Sequence, residues 1–124
     1  MLLAAGILVA SVALHLRDPH HSGSWGHCPW LLLTGTYCPG CGGLRAVNDL
    51  TRGDLAAAAS SNLLLVASMP LVAVWWLRWT ADSWRGVQRV VPASRVVAGC
   101  VVFAVVCLGF WVLRNTGQGA WLAP

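Results

Sequence analysis

The sequence predicts an all-α integral membrane protein with about three transmembrane helices and a short re-entrant or interfacial segment that carries cysteines. Three observations lead there. Of the 124 residues, 57% are hydrophobic and only 10% are charged, and the mean hydropathy is +0.67. A soluble domain of this size cannot keep so much apolar surface from water. Residues 55–77 run without a charge, long enough to cross a hydrocarbon core of about 30 Å. Tryptophans bunch where apolar runs end, with Trp75, Trp76, Trp79 and Trp84 at one end and Trp111 and Trp121 at another. An interfacial aromatic belt explains this better than an aromatic ligand box.

The length fits one domain, 1–124. All basic residues are arginine, with neither Lys nor Glu, and the net charge of +4 is scattered. That balance suits anionic lipid and is too thin for nucleic acid.

Residues 1–16 are apolar apart from Ser11 and His15 and are read as the first span. At about 24 Å they are short for the bilayer core, although thin or adapted bilayers accept short spans. The competing reading is a signal peptide cut near Ser11-Val12-Ala13. No Arg or Lys precedes the apolar run, so a retained span is preferred, with a start codon upstream left open. Residues 17–25 are a polar, turn-rich connector. His20 and His21 are adjacent and face different ways, so exposed loop histidines are the leading reading. Residues 29–37 are apolar but too short to span, and are expected to lay the following turn against the membrane.

That turn is Cys38-Pro39-Gly40-Cys41-Gly42-Gly43-Leu44-Arg45, within a cysteine loop taken as 26–50. Two cysteines separated by two residues can put both sulfurs on one metal or join in a disulfide. Pro39 restrains the backbone between them and Gly40 lets it turn. Residues 44–50 read as a short helix. Its N-terminus is expected to favour the Cys41 thiolate, and Arg45 to act in the same direction. Asp49 is expected to hold Arg45 as an i,i+4 pair. Cys28 and His27 precede the turn. Cys28, Cys38, Cys41 and His27 thus form a candidate set for zinc or another thiophilic metal. With only one C-x2-C, the spacing matches no standard zinc signature, and buried structural thiols or a disulfide are the alternative.

Gly53 is expected to end the short helix and Asp54 to cap the next one. The 55–77 span opens with small residues, 56–61, which let a neighbour approach closely. Asn62, an amide inside the span, is expected to seek a partner in another helix or in the cysteine loop. Pro70 is expected to kink the helix. Residues 78–95 hold four arginines and Asp82 and read as an interfacial loop. Residues 96–113 are the third span, with Cys100 and Cys107 as small packing residues. The arginine distribution slightly favours a cytoplasmic 78–95 loop and an external cysteine loop, where a disulfide is permitted.

Taken in order, Cys28-Pro29, the stretch from Leu33 through the cysteine turn to Ala46, then Arg52-Gly53-Asp54-Leu55-Ala56-Ala57-Ala58, then Asn62, resemble a bacterial family of small integral membrane proteins, domain of unknown function 2752. That family carries C-P…G-x-x-C-P-x-C-G-x-T-R-A followed by G-D-x-x-x-A…N-P. The resemblance covers about a third of the chain. Leu44 stands where the family usually has Thr, and Leu63 where it often has Pro. A role for that Thr hydroxyl would therefore be missing here. The resemblance implies a membrane protein with a cysteine loop and implies no activity.

Two functions follow as expectations. The first is a non-enzymatic accessory or assembly factor of the cell membrane, multi-pass, whose cysteine loop is structural or holds a metal. Its partners would be the lipid bilayer and either a larger membrane complex or further copies of itself. The lack of an acid–base pair motivates it. The second is a thiol–disulfide oxidoreductase with Cys38 and Cys41 as the redox pair and Cys28 as relay.

Overall fold

The computed structural model describes residues 2–21, 25 and 28–123. The described elements are helical, with no strand among them: α1 Leu2–Leu16, α2 Pro29–Thr34, α3 Gly43–Thr51, α4 Leu55–Trp84, α5 Ala93–Arg114 and a 3-10 turn Gly117–Leu122. α3 packs on α4, α1 packs on α3, and the 3-10 turn packs against both α5 and α4.

Each boundary has a local cause. Pro29 occupies the first turn of α2, where its missing N–H costs nothing, and Gly35 ends that helix with φ 69°. Gly53, φ 80°, stops α3. The Asp54 carboxylate then accepts from Ala57 N–H at 2.9 Å, capping α4.

Two helices, α4 and α5, are long and apolar enough to cross a membrane. α1 rises only about 22 Å, so the expectation of three spans reduces here to two helices of sufficient length. α4 also outruns the expected 55–77. It continues through Arg78 and Asp82 to Trp84, because nothing between Leu77 and Gly86 breaks it. The expected loop at 78–95 shrinks to the connector 85–92.

The backbone leaves helical angles inside α4 at Asn62, φ −160° and ψ 90°. Asn62 starts the second half as an N-cap, its Oδ1 accepting from Leu65 N–H at 2.9 Å. The first half, 55–61, packs under α3. The second, 63–84, rises about 33 Å.

The distribution of polarity is inverted relative to a soluble domain. The buried centre includes Asn48, Asp49, Ser61, Asn62 and Arg114 beside Cys41, Ala46, Ala58 and Leu122. Long apolar side chains face outward along α5, including Val97, Val102, Phe103 and Leu108. Only Phe110 and Arg114 of α5 are buried. Apolar outside and hydrogen-bonded polar inside is the arrangement a lipid solvent demands.

Candidate functional site

The site forms where four segments meet: Cys28 at the start of α2, the cysteine turn, the break of α4 at Asn62 and the C-terminal end of α5. The turn itself is tight. Cys41 N–H donates to Cys38 O at 3.1 Å, and Gly43 N–H to Gly40 O at 3.0 Å. Gly42, φ 77°, then launches α3, a conformation that a side chain there would strain.

Three carbonyls of the turn, those of Cys38, Pro39 and Cys41, are held by two side chains. Asn62 Nδ2 donates to Pro39 O at 2.9 Å and to Cys41 O at 3.1 Å. Arg114 Nη1 donates to Cys38 O at 2.9 Å and to Cys41 O at 3.1 Å. Its Nη2 donates to Leu122 O at 2.8 Å. The guanidinium lies between the rings of Phe110 and Tyr37, 5.0 and 5.7 Å from their centroids. Arg114 is 1% exposed. The next residue continues the clamp: Asn115 Oδ1 accepts from Tyr37 N–H and its Nδ2 donates to Tyr37 O, both at 2.9 Å. The end of α5 thus grips Tyr37, Cys38 and Cys41.

The sulfurs of Cys28, Cys38 and Cys41 collect at the same turn. Cys28 Sγ lies 3.6 Å from Cys38 Sγ, and Cys38 Sγ lies 3.1 Å from Cys41 Sγ. All three sulfurs fall within 4.8 Å of one another, and all three cysteines are free. Three thiolates at about 2.3 Å from a tetrahedral centre are about 3.8 Å apart. Two sides of the observed triangle are shorter than that value by 0.7 Å or less and the third is no longer than 4.8 Å, so small sulfur movements suffice for one thiophilic ion. Cys28, Cys38 and Cys41 are the residues that fit it. His27 lies outside the described residues. His20 is engaged elsewhere, Nδ1 with Asp18 at 2.8 Å and Nε2 with Asp49 at 3.4 Å.

The electrostatics differ from the sequence expectation. Burial, reinforced by hydrogen bonds with Cys38 and Cys28, pushes the Cys41 thiol up to about 12. The Leu31 backbone N–H, in the first turn of α2, together with Cys41, holds the Cys28 thiol below its ordinary value. Cys28 is the residue before α2, so α2 supplies the helix terminus expected from α3, and supplies it to a different sulfur. A cation held by these sulfurs would override the Cys41 preference by displacing its proton.

Arg45 and Asp49 do not pair. Arg45 Nε donates to Pro19 O at 3.3 Å, which ties the connector to α3. Asp49 is buried and accepts from Ser61 Oγ at 3.0 Å, joining α3 to α4. Asn48, unremarked in the sequence, donates to Leu14 O at 2.6 Å and docks α1. Cys100 and Cys107 lie within α5, apart from the sulfur cluster. Asp54 serves as a helix cap, remote from the sulfurs in role. The cation beside the turn is Arg114, 73 residues beyond Cys41.

Gly119 completes the clamp. A Cβ there would run into the Leu113 carbonyl and come within 2.9 Å of Arg114 Cα. Only glycine lets the 3-10 turn sit against the end of α5 and present Leu122 O to Arg114.

Comparison with curated proteins and with solved structures gives no match. A family model described as "Protein of unknown function (DUF2752)" matches residues 28–76. That segment holds the three cysteines, α2, α3 and the break at Asn62. Over those residues the chain is similar to that family.

Proposed function

We propose that this chain is a membrane accessory or assembly protein whose Cys28, Cys38 and Cys41 hold one thiophilic divalent ion, zinc first, as a structural centre. The observation carrying this reading is the convergence of three sulfurs within 4.8 Å, one of them from a separate segment ten residues upstream. His27, adjacent to Cys28 in sequence, is the proposed fourth donor, giving a Cys3His set. Three thiolates on a divalent ion leave one negative charge. The Arg114 guanidinium beneath the turn offsets it. The ion would lock the 28–41 segment to α3, and the clamp would pass that rigidity to α5. α4 and α5 cross the cell membrane in this reading, with α1 as a shorter third span. The apolar outer faces support lipid contact and docking on a larger membrane complex or on a second copy.

The competing reading is thiol–disulfide exchange by Cys38 and Cys41 with Cys28 as relay. Exchange requires the attacking, central and leaving sulfurs nearly in line. With sides of 3.1 and 3.6 Å and a third side no longer than 4.8 Å, the angle at Cys38 Sγ is about 90° or less. A triangle suits a shared ion and disfavours in-line attack.

Elemental analysis of protein purified in mild detergent with reductant decides between them. The metal reading expects about one equivalent of zinc, lost in Cys28→Ser and weakened in His27→Ala. Absence of metal, together with a Cys38–Cys41 disulfide trapped by alkylation in cells, would replace it with the exchange reading.

A further inference from the structure

A second polar site lies at the opposite end of α4 from the cysteine turn. The final turns of that helix carry Trp75, Arg78, Trp79 and Asp82 at spacings of three and four, which places them along one stripe. Gly86, φ 67°, turns the chain back on itself. Val87 N–H donates to Asp82 O at 2.9 Å. Arg89 then closes the turn with two bonds to the Asp82 carboxylate, Nε to Oδ2 at 2.6 Å and Nη2 to Oδ1 at 2.9 Å. The returning connector and the helix stripe bound a cavity of about 860 Å³.

Its charge is unbalanced. Asp82 is the one carboxylate among the lining residues, and Arg89 occupies both of its oxygens. Arg78 and Arg85 line the same cavity, and neither has a hydrogen-bond partner among the described residues. Two positive charges are left in a recess walled by Trp75 and Trp79. Arginine in that setting calls for an anion with several oxygens arranged for forked donors.

We propose that this cavity binds the phosphate of an anionic phospholipid headgroup, with Arg78 and Arg85 on the phosphate oxygens. The lipid is favoured over free phosphate because the cavity caps an apolar helix at the level of its tryptophans, where headgroups lie. This inference rests on the membrane reading of α4 and α5 and is independent of the metal.

The test uses the full chain in nanodiscs containing equal phosphatidylglycerol and phosphatidylcholine, followed by native mass spectrometry of the lipids retained on release into detergent. The expected result is retention of phosphatidylglycerol in preference to phosphatidylcholine. Each arginine–phosphate contact is expected to account for about fivefold in affinity, so Arg78→Gln with Arg85→Gln together lose about thirtyfold. Arg17→Gln, outside the cavity, retains the wild-type preference. Tryptophan fluorescence titrated with inorganic phosphate separates the sources. A response to phosphate with no lipid preference keeps the anion site and reassigns its occupant to free phosphate. Equal retention of both lipids with no response to phosphate overturns the proposal. So does a correctly folded double variant that retains phosphatidylglycerol like the wild type. If the double variant fails to fold, the wild-type lipid ratio and phosphate titration alone decide. Failure to enter nanodiscs at all would instead strike the membrane reading, leaving the phosphate titration to judge the anion site.

Discussion

Replacing Arg114 with Leu tests the clamp that organises the cysteine turn. The substitution keeps the apolar stem against Phe110 and Tyr37 and removes three charge-assisted hydrogen bonds. Such bonds contribute about 1.5–3 kcal/mol each in a buried setting. Two of the acceptors keep a second partner: Cys38 O retains Cys41 N–H, and Cys41 O retains Asn62 Nδ2. Leu122 O has no other hydrogen bond among the described residues. The desolvation cost of burying the guanidinium is recovered on its removal, which offsets part of the loss. The net effect is about 3 kcal/mol, corresponding to a fall of roughly 10 °C or more in detergent thermal unfolding. Arg114→Lys is expected to lose about half as much, since a single ammonium cannot bridge carbonyls on both the turn and residue 122. Zinc affinity should fall with stability, because the clamp and the sulfur cluster share one turn. A Leu variant that unfolds within about 2 °C of wild type and retains full metal would refute the reasoning.

Other outcomes follow from the same contacts. Asn62→Asp keeps the cap on Leu65 N–H but, when ionised, cannot donate to Pro39 O or Cys41 O; a destabilisation of about 2 kcal/mol is expected by chemical unfolding, more than for a surface change. Gly119→Ala forces the 3-10 turn off the end of α5, and proteolysis after residue 116 should accelerate. In metal-free, reduced protein near neutral pH, alkylation mapped by mass spectrometry should modify Cys28 first and Cys41 last, because the first thiol is lowered and the second raised to about 12. Hydrogen bonds from the His20 backbone and ring hold Asp18 down at about 2. A carboxylate depressed in the folded state stabilises above its unfolded value and loses that contribution as pH falls toward the folded one. Hydrogen exchange in the connector at 17–21 should therefore rise between about pH 4 and pH 2, and Asp18→Asn should remove that pH dependence.

The all-helical character and the two long apolar helices were legible from long uncharged runs with tryptophan at their ends. α3 and its stop at Gly53 were legible from a cap signal of two residues. The sulfur cluster was partly legible: the C-x2-C spacing is local, whereas the approach of Cys28 depends on where α2 points. Arg114 and Asn115 were not legible. A single arginine at the end of an apolar helix reads as an interfacial anchor, and nothing local says that it turns inward to a segment 73 residues away. Its one signal is the Arg-Asn pair followed closely by two glycines, a polar knot at the end of an otherwise apolar helix. The break at Asn62 was not legible: the amide gains two carbonyl acceptors and a cap by leaving the helix, which outweighs the lost helical hydrogen bond. Arg45 and Asp49 read as a pair by spacing, but each has a tertiary partner that an i,i+4 contact of a few tenths of a kcal/mol cannot outbid.

X-ray absorption at the zinc edge, on protein purified from membranes with reductant, addresses the sulfur cluster most directly. One zinc per chain with three sulfur neighbours near 2.3 Å and one nitrogen is the expected first shell. A first shell of oxygen and nitrogen alone, or no bound zinc with the three thiols fully reduced, would contradict a metal centre at Cys28, Cys38 and Cys41.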